Sequence, residues 1–151
     1  MNRIKNLLMI IPSILFFSLN QQPKEEDALI GVWKNGEGTG MVKIYKNSDK
    51  YQGKIVWLKE PIDPQTQKPK LDKNHPDESV RNRALLGLIN TWGFVYKGDK
   101  LWEDGKIYDP KNGSTYDCTI RMKDPNTLEV RGFIGISIIG RTDTWTRQVM
   151  K

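Results

Sequence analysis

Leu128-Glu129-Val130-Arg131-Gly132-Phe133-Ile134-Gly135-Ile136-Ser137-Ile138-Ile139-Gly140-Arg141-Thr142-Asp143-Thr144-Trp145-Thr146-Arg147 reads as two β segments joined by a corner punctuated with glycine. Strand side chains alternate with period two, so Arg141, Asp143, Trp145 and Arg147 share one face. Thr142, Thr144 and Thr146 share the other. A face of two arginines, one carboxylate and one tryptophan is neither plain core nor plain surface. If it is covered, something must pair its charges.

The same alternation runs back along the chain. Ser114 to Met122 is a strand that ends at the turn Lys123-Asp124-Pro125-Asn126. Asp109-Pro110-Lys111-Asn112-Gly113 is the clearest turn, with proline and Asn-Gly placed where turns use them. Asn112-Gly113-Ser114 also fits a glycosylation sequon, but the turn already explains it. Leu101 to Tyr108 is a strand in which Gly105 predicts a bulge or a close approach. Leu85 to Trp92 and Phe94 to Tyr96 are apolar strands. Tyr51 to Leu58 and Met41 to Tyr45 flank a hairpin loop, and Gly31 to Asn35 is a brief first strand before a glycine-rich turn. Ile55 to Leu58 are consecutively apolar, so periodicity leaves their inward side open.

Residues 59–84 break the pattern with Pro61, Pro64, Pro69 and Pro76. This is a long loop, and Pro76 to Asn82 has the early proline and acids of a short helix start. Loops of this length in a compact domain are commonly lids or binding segments. Eight or nine short strands joined by tight turns predict an all-β sandwich or barrel. Consecutive hairpins favour a single antiparallel up-and-down barrel of about eight strands, which closes on itself and so removes its edges. Such an interior is either filled or able to hold one small ligand.

At 151 residues the chain is one domain plus an N-terminal segment. Residues 1–20 read as a signal peptide: Arg3 and Lys5 precede an apolar run from Leu7 to Leu19 that is short for a membrane span. Cleavage is expected near Asn20 or Gln21, with an uncleaved anchor as the alternative. No cysteine follows the run, so lipid attachment at a new terminal cysteine is excluded. Residues 21–29 read as a polar tether and residues 30–151 as the barrel domain. Removing Arg3 and Lys5 takes the net charge from +6 to +4, which bears mainly on solubility. Lysines and arginines are scattered, with no basic run interleaved with aromatics, so a nucleic-acid face is not expected. Cys118 is the only cysteine and reads as a small buried hydrophobe, which rules out an intrachain disulfide.

Two features resemble the lipocalin and calycin barrels. Gly31-Val32-Trp33 matches their Gly-x-Trp, and Arg147 matches the arginine near the end of the last strand. The resemblance implies that Trp33 and Arg147 stack as a cation–π plug across the barrel floor. A closer likeness covers nearly the whole expected mature chain. Leu71-Asp72-Lys73-Asn74, Pro76-Asp77, Arg81-Asn82-Arg83, Leu85-Leu86-Gly87-Leu88, Gly105 to Pro110, Asn112-Gly113, Tyr116 and Gly140-Arg141-Thr142-Asp143-Thr144-Trp145-Thr146-Arg147 resemble a secreted bacterial family known as a domain of unknown function. That family is regarded as lipocalin-like and has no established reaction or ligand. Many members carry a Cys-x-x-Cys element in the long loop, where this chain has Leu71 to Arg83, so no disulfide or metal reading carries over.

Candidate chemistry is sparse. His75 is the only histidine and sits in a proline-flanked loop, a poor place for a catalytic triad. Zinc sites of several His or Cys ligands are excluded by count. Asp72, Asn74, Asp77 and Glu78 offer oxygens to calcium without the spacing of an EF-hand loop. Asp104, Asp109, Asp117 and Asp143 give no paired-carboxylate signal; Asp109 reads as a turn initiator and Asp143 as the counter-ion of Arg141 or Arg147.

The remaining functional idea is a pocket. Trp57, Trp92, Trp102, Tyr108, Tyr116 and Trp145 are its candidate aromatic walls, and Arg131, Arg141 and Arg147 its candidate anion hooks. The sequence thus predicts a secreted, periplasmic or extracellular, non-catalytic protein that binds a small apolar or amphipathic ligand, an anionic one included. It needs no cofactor or metal, and no stable membrane span remains after signal cleavage. A filled barrel serving as an interaction or scaffold module of the cell envelope is the alternative, and a hydrolase a third reading.

Overall fold

The computed structural model describes residues 22–136 and 139–149, so the expected signal peptide lies outside the described residues. Eight strands follow in order: β1 (Gly31–Lys34), β2 (Gly40–Asn47), β3 (Lys50–Leu58), β4 (Ile89–Tyr96), β5 (Leu101–Asp109), β6 (Ser114–Asp124), β7 (Thr127–Phe133) and β8 (Gly140–Gln148). Each pairs antiparallel with its sequence neighbour, and β8 returns to β1 through Val32 with Gln148, Trp33 with Arg147 and Lys34 with Thr146. The sheet is a closed up-and-down barrel with no free edge.

Two 3-10 turns, Glu25–Leu29 and Glu78–Val80, are the helical elements among the described residues. The second is all that forms of the helix expected in the long loop; the Asp77 side chain caps it by accepting from Ser79 N–H. The first lies within the expected tether, and its last residue, Leu29, is fully buried under the barrel. Leu85 to Leu88 also departs from the expected strand. Gly87, at φ 89°, turns the chain there, and β4 starts only at Ile89.

The two ends of the barrel differ. Where the β2–β3, β4–β5 and β6–β7 hairpins lie, the interior is solid: Trp33, Ile44, Tyr51, Phe94, Trp102, Ile120 and Leu128 are each no more than 1% exposed. Arg147 seals this floor. Its guanidinium carbon lies 4.1 Å from the Trp33 ring centroid, and it donates to the carbonyls of Ala28, Ile30 and Pro125 at 2.7, 3.0 and 2.7 Å. The indoles of Trp33 and Trp102 donate to the carbonyls of Leu29 and Glu26, which fastens the first 3-10 turn across the opening. Burial without a carboxylate partner pushes the Arg147 pKa down.

A lidded cavity at the open end

The opposite end carries the β1–β2 and β5–β6 turns, the β7–β8 connection and the long loop after β3. Here the barrel is hollow, and a cavity of about 1230 Å³ opens to the mouth. That is somewhat above the usual range of about 300–1,000 Å³ for small-molecule pockets. Its inner wall is mainly apolar, with Val42, Ile55, Ile107, Val130 and Trp145 from five different strands. Barrel interiors take alternate residues of each strand, so the face of Arg141, Asp143 and Trp145 lies along the cavity from rim to floor.

The long loop is built as a lid. Asp72, fully buried, accepts from the Tyr108 hydroxyl at 2.5 Å and from Arg83 Nε and Nη2 at 2.9 and 2.8 Å. Arg83 also lies over the Tyr108 ring, 5.9 Å from its centroid. Burial, reinforced by the Asp72 carboxylate, pushes the Tyr108 hydroxyl up to about 12. Further along, Asn74 Nδ2 donates to the carbonyls of Pro110 and Lys111, at 3.1 and 3.0 Å. The backbone seat is tight: a Cβ at Gly113, where φ is 72°, would stand 1.9 Å from the Asn74 carbonyl oxygen. Leu85 and Leu88 pack under the lid against Ile55, Leu58 and Tyr108.

Charge at the rim is paired across the opening. The β1–β2 and β5–β6 turns stand on opposite sides of an eight-strand barrel, yet Lys111 Nζ ion-pairs with Glu37. Arg141 Nη2 reaches the same carboxylate at 3.6 Å. Lys111 is the main reason that the Glu37 carboxyl titrates below its ordinary range.

Of the sequence-predicted ligand residues, Tyr108, Tyr116, Arg141 and Trp145 line the cavity. Trp57, Trp92, Trp102 and Arg131 do not. Trp57 and Trp92 are 37% and 36% exposed on the outer surface, because β-bulges beside them shift the in–out alternation. Trp102 belongs to the solid floor. Arg131 points outward, donating to Thr142 Oγ1 at 3.0 Å on the threonine face. Arg147 is spent on the floor, so the three expected anion hooks do not meet. Asp143 is not their counter-ion either: its Oδ2 accepts from Gly36 N–H at 3.2 Å and Trp145 Nε1–H at 2.9 Å.

The sequence reading missed Asn90. It lines the cavity at 7% exposure, and its Oδ1 has no hydrogen-bond partner. An asparagine inside the apolar run Leu88 to Trp92 was the available signal.

Residues 31–147 match the family described as uncharacterized proteins conserved in bacteria, DUF2147. The chain belongs to this family. Among solved structures it is similar to protein HP1028 of Helicobacter pylori, described as belonging to the lipocalin family. The two are 23% identical with a TM-score of 0.69, over 80% of this chain and 83% of that one. At that identity the likeness concerns the fold alone. No curated protein matches the chain.

Other reactive groups of this family member lie apart from the cavity or are engaged. Cys118 is buried, and burial pushes its thiol up to about 12. His75 Nδ1 accepts from Asp77 N–H at 3.0 Å, and its ring packs against Tyr108. Among the described residues no three His, Cys, Asp or Glu side chains cluster as a metal site requires, and no helix is long and apolar enough to cross a membrane.

Proposed function

We propose that the mature domain is a secreted, non-catalytic carrier that takes a small apolar or amphipathic molecule into the cavity at the open end. The observation that carries this reading is the division of the interior into a solid floor and a lidded, apolar-walled hollow of about 1230 Å³. A purely structural barrel of this size gains by filling its interior, since an empty volume forfeits packing. The apolar run at residues 7–19 supports export.

The test is mass spectrometry of small molecules extracted from the purified protein, with uptake of a neutral apolar dye. Dye should bind the parent and be lost in Ile107→Trp, which fills the hollow from its wall. Equal uptake by a folded Ile107→Trp variant would place binding elsewhere and sink the carrier reading. One observation favours the rival, an envelope interaction module: Ile134, Ile136 and Ile139 on the β7–β8 connection are 69%, 64% and 65% exposed. Ile134 and Ile139 also edge the cavity, so the separating variant is Ile136→Ser, which under that reading weakens a partner contact and leaves dye uptake intact.

A further inference from the structure

The carrier reading leaves the ligand's polar chemistry open, and the cavity wall bears on it. We infer, resting on that reading, that the cavity selects ligands that bring a hydrogen-bond donor, above all a protonated amine, to Asp143, with a second polar contact at Asn90.

Asp143 is on β8, half-buried in the cavity wall. A carboxylate there needs compensation for the water it loses. It receives only neutral donors, the Gly36 N–H and the Trp145 indole, both on Oδ2; among the described residues nothing donates to Oδ1. Among the described residues five cations line the cavity, and all but Lys59 are bound elsewhere. Arg141 and Lys111 share Glu37, Lys73 pairs with Asp63 and Lys70 with Glu60. Arg147 is committed to backbone carbonyls at the floor. The wall therefore presents an oriented negative charge with one oxygen unused, steadied by Trp145.

Asn90 is an independent sign. β4 stands four places from β8 in the closed strand order, so Asn90 and Asp143 occupy opposite walls. The β3–β4 ladder pairs Gly53 with Thr91 and Lys54 with Ile89, which leaves Asn90 as the extra residue of a bulge. The bulge turns it inward beside Thr91, and both are buried. Its Oδ1 is buried without a partner, in a wall that Ile55 and Ile107 of the neighbouring strands make apolar. Buried polar atoms are normally satisfied, and an apolar residue would fill this place without loss. Thr91 Oγ1 beside it is unpartnered too, but only Asn90 lines the cavity, so its amide is the one whose spare hydrogen-bonding capacity a ligand can take up. Asn90 accepts and donates alike, so Asp143 sets the sign: it attracts an ammonium, tolerates a hydroxyl and repels a carboxylate.

The experiment titrates the full-length mature protein at neutral pH and low salt with three probes that differ only in the head group: octylammonium, octanol and octanoate. Octylammonium should bind about tenfold or more tighter than octanoate, with octanol between, since a tenfold ratio is the scale of one well-placed charge contact. Asp143→Asn keeps the shape and an acceptor for Trp145, and should remove the preference for octylammonium while leaving octanol nearly unchanged. Asn90→Leu should weaken octanol and octylammonium together. Octanoate binding as tightly as octylammonium to the parent protein overturns the inference, and so does an unchanged ranking in folded Asp143→Asn. The parent ranking needs no variant, so poor folding of either substitution leaves the test decisive. If none of the three binds, nor the neutral dye, the carrier reading itself has failed.

Discussion

Trp33 and Arg147 are directly paired residues across the β1–β8 seam that closes the barrel, and the guanidinium of one covers the indole of the other. Closure and floor are thus the same event. Truncating Arg147 removes the stack and three bonds to carbonyls that also hold the Glu25–Leu29 turn in place. Arg147→Ala should lower stability by about 2–4 kcal/mol, the sum expected of a partly dry cation–π contact and charge-assisted hydrogen bonds. Arg147→Lys should recover little of it, because one ammonium cannot serve three divergent carbonyls and an indole face. Denaturant unfolding followed by tryptophan fluorescence measures both; a loss under about half a kcal/mol for Arg147→Ala would show that the floor holds without the plug.

The lid depends on Asp72. Tyr108→Phe removes the hydroxyl that meets its Oδ1 and leaves that buried oxygen short of a partner. The expected loss is about 1–3 kcal/mol, the usual penalty for an orphaned buried acceptor. Amide exchange should quicken across residues 59–88 and stay slow on the floor strands. Exchange that quickens equally on β6 and β7 would mean the lid and barrel open as one unit.

Phe94 lies flat on Gly105. A Cβ there would stand 2.1 Å from the ring, and the ring is itself 1% exposed with no free direction of retreat. Gly105→Ala should therefore destabilise by about 1–3 kcal/mol through overpacking. Adding Phe94→Leu should recover part of that loss, and a double mutant no better than the sum of the singles would refute the contact as the cause.

Much of this architecture was legible in the sequence. Turn chemistry at Asp109 to Gly113 and the threonine–arginine alternation of 141–147 gave strands, hairpins and the inward face. The close approach at Gly105 could be read from glycine inside a strand. What was hidden depended on parity and reach. Bulges at Met41–Val42 and Gly53–Lys54 moved Trp57 and Trp92 outside and Asn90 inside, and an apolar run such as Ile55 to Leu58 does not display a bulge. Asp143 is two residues, about 7 Å, from Arg141 and four, about 13 Å, from Arg147 on the same face of the strand. Pairing among them was the natural reading. Glu37, from a turn a hundred residues away in sequence, claims Arg141 instead, and only closure of the barrel brings the two together.

Alkaline pH gives a test of burial at three side chains, two in the solid interior and one under the lid. Burial raises Cys118, Tyr51 and Tyr108 to about 12 from ordinary values near 9 for the thiol and 10 for the phenols. Each group keeps its proton in the folded protein at a pH where the unfolded chain has released it. The unfolded state then binds fewer protons, so stability falls as pH rises. The contribution is whole below about pH 9 and is lost progressively up to about 12. Denaturation midpoints should decline steadily over that window, and spectrophotometric titration should show three of the five tyrosines ionising late, Tyr51 and Tyr108 with Tyr96, which burial also raises. Cys118→Ala should flatten the first part of the decline, since the thiol is the first of the three to titrate in the unfolded chain. An unaltered slope between pH 9 and 10 in that variant would show that the thiol is not held neutral by the fold.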